Sequence, residues 1–150
     1  MIPRGWPAEI LRKSRLAHLA TSTSDGLPLV VPVCYAYDGK AFYSSIDEKP
    51  KRSTPDNLRR VLNISHNPRI SLVVDLYSED WRKLRYVIIN GTAKIMRRGS
   101  EHSRAVLLLR RKYPQYLSMR IEHRPIVKIK PSKIIPWSAR SYKKRRSSMV

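Results

Sequence analysis

Apolar residues alternate with polar ones along much of this chain, and a period of two marks strands with one buried face. Six segments carry that pattern or a run of Val, Ile and Tyr: 16–23, 27–37, 40–46, 69–77, 85–98 and 124–137. In the last of these, Val127 and Ile129 are set against Ile126, Lys128 and Lys130. Turn chemistry separates the first three segments. Ser24-Asp25-Gly26 closes one turn, and Asp38-Gly39 is the strongest hairpin signal in the chain. Pro28 and Pro32 interrupt 27–37. Proline cannot donate to a ladder, so this strand is expected to carry an edge, a bulge or a kink. Gly91 inside 85–98 predicts a bulge or a close packing point.

Three stretches break the alternation with a helical period. Residues 7–15 open on Pro7, suited to a first helical position, and put Ile10 and Leu11 on one side. Leu58, Val61, Leu62 and Ser65 form a helical stripe, entered through Ser53 or Thr54 with Pro55-Asp56 and ended by Asn67-Pro68. Residues 100–114 read as a helix capped at Ser100 and stopped by Pro114. Residues 47–57 and 78–84 read as loops. Six short strands joined mainly by hairpins predict a mainly β chain, a small antiparallel barrel rather than a parallel sheet. The barrel is expected to span 1–137, with a basic C-terminal tail at 138–150.

Composition agrees with a globular domain: 150 residues, 41% hydrophobic and 28% charged. No apolar run approaches the roughly 20 residues that cross a bilayer, and the first residues lack a secretory signal's apolar core. The single cysteine, Cys34, excludes an intrachain disulfide framework. These features lead to the expectation of a cytoplasmic protein. The formal net charge of +20 is uneven: residues 76–150 hold 20 of the 31 basic residues and 4 of the 11 acidic ones. Such a field attracts nucleic acid, anionic lipid or a phosphorylated cofactor, and it also fits a merely solvated tail. With 8% aromatic residues and no nucleic-acid motif, a dedicated reader of bases is not favoured.

The loop after the third strand carries the sharpest chemistry. Lys49, Lys51 and Arg52 fall within four residues, after a strand ending Tyr43-Ser44-Ser45 and before a helix start. Hydroxyls, cations and free backbone N–H groups in one corner bind a phosphate; a solvated charged loop is the alternative. His18, His66, His102 and His123 are scattered and, with one Cys, show no zinc spacing, so no metal is expected. Cys34 has no basic neighbour along the chain and reads as a buried small residue rather than a nucleophile. Ser44 and Ser45 have no evident His–Asp partners, and no Gly-rich phosphate loop is present. Trp81, in Ser78-Glu79-Asp80-Trp81, either stacks on a planar ligand or covers a corner of the core, the latter being the default for a lone aromatic.

Taken in order, the parts resemble a known family. They are Leu19-Ala20-Thr21, the DG turn with its proline, the VPVCYAYDG hairpin, the D-x-KPKR loop, LRRVLNI, NPRISLVVD and YSEDW. This set, over residues 14–98 and more loosely 124–137, is similar to the pyridoxamine phosphate oxidase-like split-barrel family. Within it, the chain most resembles the branch that uses the deazaflavin coenzyme F420. The resemblance implies a homodimeric six-stranded split barrel with cofactor in the clefts between subunits. It puts Val31, Pro32 and Val33 along the cofactor ring and Ser44, Ser45, Lys49, Lys51 and Arg52 at its phosphate. Trp81 joins them as a ring-stacking candidate. The implied chemistry is hydride transfer to a small organic substrate, with binding of the cofactor without turnover, or of nucleic acid by the basic half, as alternatives. No catalytic acid is assigned; Tyr35, Tyr37 and Tyr43 are the available hydroxyls. The chain departs from the pattern at KLRYVIING, where relatives carry a second Trp-rich strand, and in its basic tail RSYKKRRSS. The choice between F420 and FMN therefore stays open.

Overall fold

The computed structural model describes residues 2–46 and 58–140. Its elements run α1 (Trp6–Lys13), β1 (Ala17–Ser22), β2 (Pro28–Val33), β3 (Ala36–Tyr37), β4 (Phe42–Ser45), α2 (Arg59–His66), β5 (Arg69–Leu76), β6 (Arg85–Met96), α3 (Ser100–Lys112) and β7 (Ile126–Ser138). The strands form one antiparallel sheet in the order β2-β1-β5-β6-β7-β4-β3. The expected single strand over 27–37 is two strands, which raises the count from six to seven. β2 and β3 stand at opposite ends of the sheet order yet are separated only by Cys34 and Tyr35. The three steps from Val33 to Ala36 span at most roughly 11 Å, so the sheet has to curl until its ends approach. That closure makes the half-barrel.

The prolines lie where the ladder tolerates them. Pro28 and Pro32 are in β2, which among the described residues pairs with β1 alone, so the expected edge is present. Pro131 and Pro136 are in the half of β7 beyond Ile129, where β4 no longer pairs with it. Opposite Gly91 the register skips Ser132, whose Oγ donates to the Asn90 carbonyl at 3.0 Å. Both expectations for Gly91, a bulge and a close approach, therefore hold at one point.

The barrel interior is filled by Leu19, Tyr35, Phe42, Leu72, Ile89 and Ile129 among others, each at most 1% exposed. Burying such a side chain contributes about 1.5–3 kcal/mol. α1 adds Ile10 and Leu11 to this core, as its pattern predicts. α2 presents Val61 and Ile64 inward while Leu62 faces out at 40% exposure, so the buried stripe is not the expected one through Leu62 and Ser65. Asn63 takes an inner place instead because its Nδ2 donates to Thr21 Oγ1 at 3.0 Å. The expected helix entry at 53–56 lies outside the described residues.

A second cluster sits under α3, where His102, Ala105, Val106 and Leu109 recur at helical spacing. Gly99, with φ of 107°, occupies the N-cap position expected for Ser100. Phe42 feeds the first cluster and Tyr43 the second, so β4 is buried on both faces. The Tyr43 hydroxyl donates to Glu101 Oε2 at 2.9 Å and accepts from Arg104 Nη2 at 3.1 Å, and Lys128 Nζ pairs with Glu101 at 2.6 Å. This network fastens α3 to β4 and β7. Among the described residues, no helix is long and apolar enough to cross a membrane.

Candidate cofactor cleft

Val31, Pro32 and Val33 form the C-terminal half of β2. Val33 is buried in the core, Val31 packs against it, and Pro32 points outward. One backbone edge of β2 bonds to β1; no other strand of the described residues pairs with it. Ser44 meets this strand at its end: its Oγ donates to the Cys34 carbonyl at 2.7 Å. The β3–β4 hairpin, in register at Ala36 and Tyr43, thus brings Ser44 to the residue that follows Val33.

Ser45 is different in kind. Its side chain is buried, and its Oγ has no hydrogen-bond partner among the described residues. An orphaned buried hydroxyl costs about 1–3 kcal/mol unless something outside this set satisfies it. It stands at the end of β4, two residues before segment 47–57 begins. Lys49, Lys51 and Arg52 are in that segment and lie outside the described residues.

Trp81 opens a 3-10 turn, Trp81–Lys83, and is 67% exposed. The default reading of this residue as a cover for the core is overturned. Asp80 holds the turn by accepting from Arg82 N, and Arg82 Nε and Nη2 return to its carboxylate at 2.9 and 3.0 Å. That pairing holds the Asp80 carboxyl down at about 2. The turn is tied to the end of β7 by Ala139 N, which donates to the Leu84 carbonyl at 3.0 Å. Trp137 stacks on its cross-strand neighbour Tyr86, with ring centres 5.2 Å apart.

The three tyrosines considered as proton donors are occupied structurally. The Tyr35 hydroxyl donates to the Leu11 carbonyl at 2.7 Å, Tyr37 to the Gly39 carbonyl at 3.1 Å, and Tyr43 to Glu101. Burial, reinforced by the bond to Glu101, pushes Tyr43 up to about 12.

The junction of β2 and β3 also gathers residues that no local pattern marks. The Tyr113 hydroxyl accepts from Tyr35 N at 3.1 Å and faces the carbonyls of Arg15 and Tyr35 at 2.8 and 3.0 Å. Lys112 lays its ammonium 3.9 Å from the centre of the Tyr35 ring, with Nζ buried and without a hydrogen-bond partner among the described residues. Burial, with the Arg15 charge adding to it, brings Lys112 down to about 8 from an ordinary 10.5; Cys34 acts in the opposite direction. The fold therefore gives Cys34 the basic neighbour that its flanking sequence lacks. Only the Tyr113-Pro114 end of a helix hinted at this group.

The buried ammonium has a consequence for stability. Between about pH 8 and 10.5 the folded state releases the Lys112 proton before the unfolded chain does, so stability rises with pH. Below that window the burial cost is complete and constant. Lys112→Met keeps the stem and removes the charge. It is expected to stabilise the fold by about 2 kcal/mol near pH 7, the gain shrinking towards pH 10. Urea unfolding across that range measures it, and a gain independent of pH would contradict the buried charge as its cause.

A profile described as pyridoxamine 5'-phosphate oxidase matches residues 8–138. No curated protein matches. Among solved structures, the conserved hypothetical protein Rv2991 of Mycobacterium tuberculosis superposes with a TM-score of 0.72 at 23% identity, covering 95% of this chain and 89% of that one. An F420 reductase gives 0.64 at 22% identity, covering 89% and 98%. HutZ, the heme storage protein of Vibrio cholerae, gives 0.65 at 13% identity, covering 87% and 89%. At these identities the likeness is one of fold.

Proposed function

Because the chain belongs to the pyridoxamine 5'-phosphate oxidase family, we propose that it is an oxidoreductase. In this reading two copies hold a phosphate-bearing cofactor, coenzyme F420 or alternatively FMN, in the cleft between them. The observation that carries this reading is the Ser45 hydroxyl, buried and unpartnered among the described residues at the entrance to the Lys49–Arg52 segment. An anion's oxygen would satisfy it, and three cations follow within seven residues. Ser44 acts indirectly, fixing the end of β2 through Cys34. The β2 edge that no strand of the described residues covers runs along Val31, Pro32 and Val33 and would flank a planar ring; Pro32, with no N–H, can offer only its carbonyl there.

When bound, a flavin-type ring supplies the hydride chemistry, while the protein supplies position and electrostatics. Trp81, its ring exposed in the turn between β5 and β6, is the stacking candidate for the ring. Leu27 and Val30, 68% and 62% exposed beside the outward prolines of β2, are the apolar surface a partner copy would cover. A polyanion-binding role for the basic tail is a separate, accessory property in this reading.

Titrating the purified protein with coenzyme F420, FMN and heme in parallel, followed by fluorescence or absorbance, tests the proposal. Preference for F420 supports the deazaflavin branch, and preference for FMN moves the chain to the flavin branch. Binding of heme alone, or of none of the three, removes the proposal. Ser45→Ala gives an independent check. Deleting an unsatisfied hydroxyl is expected to leave the unliganded fold as stable or slightly more so, while weakening cofactor binding by about 1 kcal/mol. Equal loss of stability and binding would reduce Ser45 to a packing residue.

A further inference from the structure

A groove of about 500 Å³ opens at the other end of the sheet from the Ser45 strand end, between α1, the start of β1 and the β5–β6 pair. None of the residues assigned to the cofactor line it. Its walls are mainly apolar: Trp6, Ile10, Leu16 and Leu76, of which Leu16 and Leu76 are 48% and 45% exposed. Apolar surface left open in a concave site gains on being covered by a ligand's hydrocarbon body.

The charges in the groove are not equally available. Lys13 and Glu9 neutralise each other at 2.7 Å, which also holds the Glu9 carboxyl below its usual range. Arg15 donates to the Lys112 carbonyl and lies over the Tyr113 ring. Arg85 remains. Its guanidinium sits 5.5 Å from the centre of the Trp6 ring, and its backbone is fixed in the ladder opposite Leu76 and Ser138. A guanidinium resting on an indole keeps its N–H edge for a planar anion, and the fork geometry suits a carboxylate. Asp75 stands on the same rim, so the lining holds three cations against two carboxylates.

We propose that this groove is a ligand site for a flat aromatic carboxylate, with the ring against Trp6, Leu16 and Leu76 and the carboxylate on Arg85. The proposal does not depend on the cofactor reading, since it uses neither the β4 end nor segment 47–57. Calorimetric titration with 2-naphthoate, its neutral analogue 2-naphthalenemethanol and its cationic analogue 2-naphthylmethylamine tests it. Saturable binding is expected in the order carboxylate, alcohol, amine. Arg85→Gln should weaken 2-naphthoate roughly tenfold or more, the loss of a charge-assisted bond, and leave the alcohol within about threefold. Arg85→Lys should recover part of the carboxylate preference, and thermal unfolding of each variant checks that the fold is retained. Tighter binding of the amine would assign the polar end to Asp75 and overturn the proposal. So would equal affinity for all three compounds, an unchanged Arg85→Gln titration, or no binding.

Discussion

Gly91→Ala is expected to destabilise the protein by about 3 kcal/mol or more, a large share of what a small domain has. A Cβ built at Gly91 lies 2.2 Å from the Lys130 carbonyl oxygen and 3.1 Å from Pro131 Cα. Both are backbone atoms, so no rotamer change relieves the clash. Relief requires β6 and β7 to part where the register already skips Ser132. That pair runs from Arg85–Ser138 to Met96–Ile126 and is the longest in the sheet. Denaturant unfolding measures the loss. A Gly91→Ala protein within about 1 kcal/mol of the original would mean that the bulge relaxes freely. This cost comes from space and not from backbone conformation, since Gly91 is not among the glycines with positive φ.

The Lys51→Ala/Arg52→Ala double variant is expected to lose cofactor affinity by about 3–6 kcal/mol, since each charge-assisted bond contributes about 1.5–3. That is a factor of roughly a hundred to ten thousand in Kd. Both are charged positions of a segment whose sequence carries no core-forming pattern, so stability without cofactor should hardly change. Raising the salt concentration should weaken binding to the original protein more than to the variant, because fewer charges remain to be screened. Fluorescence titration at two salt concentrations reads both effects. Equal affinities for the two proteins would remove the phosphate role from Lys51 and Arg52. Lost affinity together with lost stability would make the loop a structural element.

Period and turn chemistry were enough to determine most of the elements. Val127 and Ile129 against Lys128 and Lys130, Asp38-Gly39 at a hairpin, and Asn67-Pro68 at a helix end are local statements, and local sterics enforce them. The prolines of β2 likewise announced an edge, because a missing donor is a property of the residue itself. The family was legible in the order of the motifs, and the profile over 8–138 bears it out. The inward stripe of α2 was not legible. Leu62 is apolar and Asn63 polar, yet Asn63 is buried, because its partner Thr21 lies 42 residues earlier.

The same distinction separates the parts of the candidate cleft. Lys49, Lys51 and Arg52 stand out as a cluster because they are neighbours in sequence. The orphaned state of Ser45 and the exposure of Trp81 depend on which distant segments pack over them. Lys112 over Tyr35 and Arg85 over Trp6 join residues 77 and 79 positions apart. Period and turn rules act over a few residues, so the sequence by itself determined strands, turns and the clustering of cations at 49–52. Burial, orphaned polar atoms and paired charges depend on which distant segments share a space, and only the tertiary structure decided those.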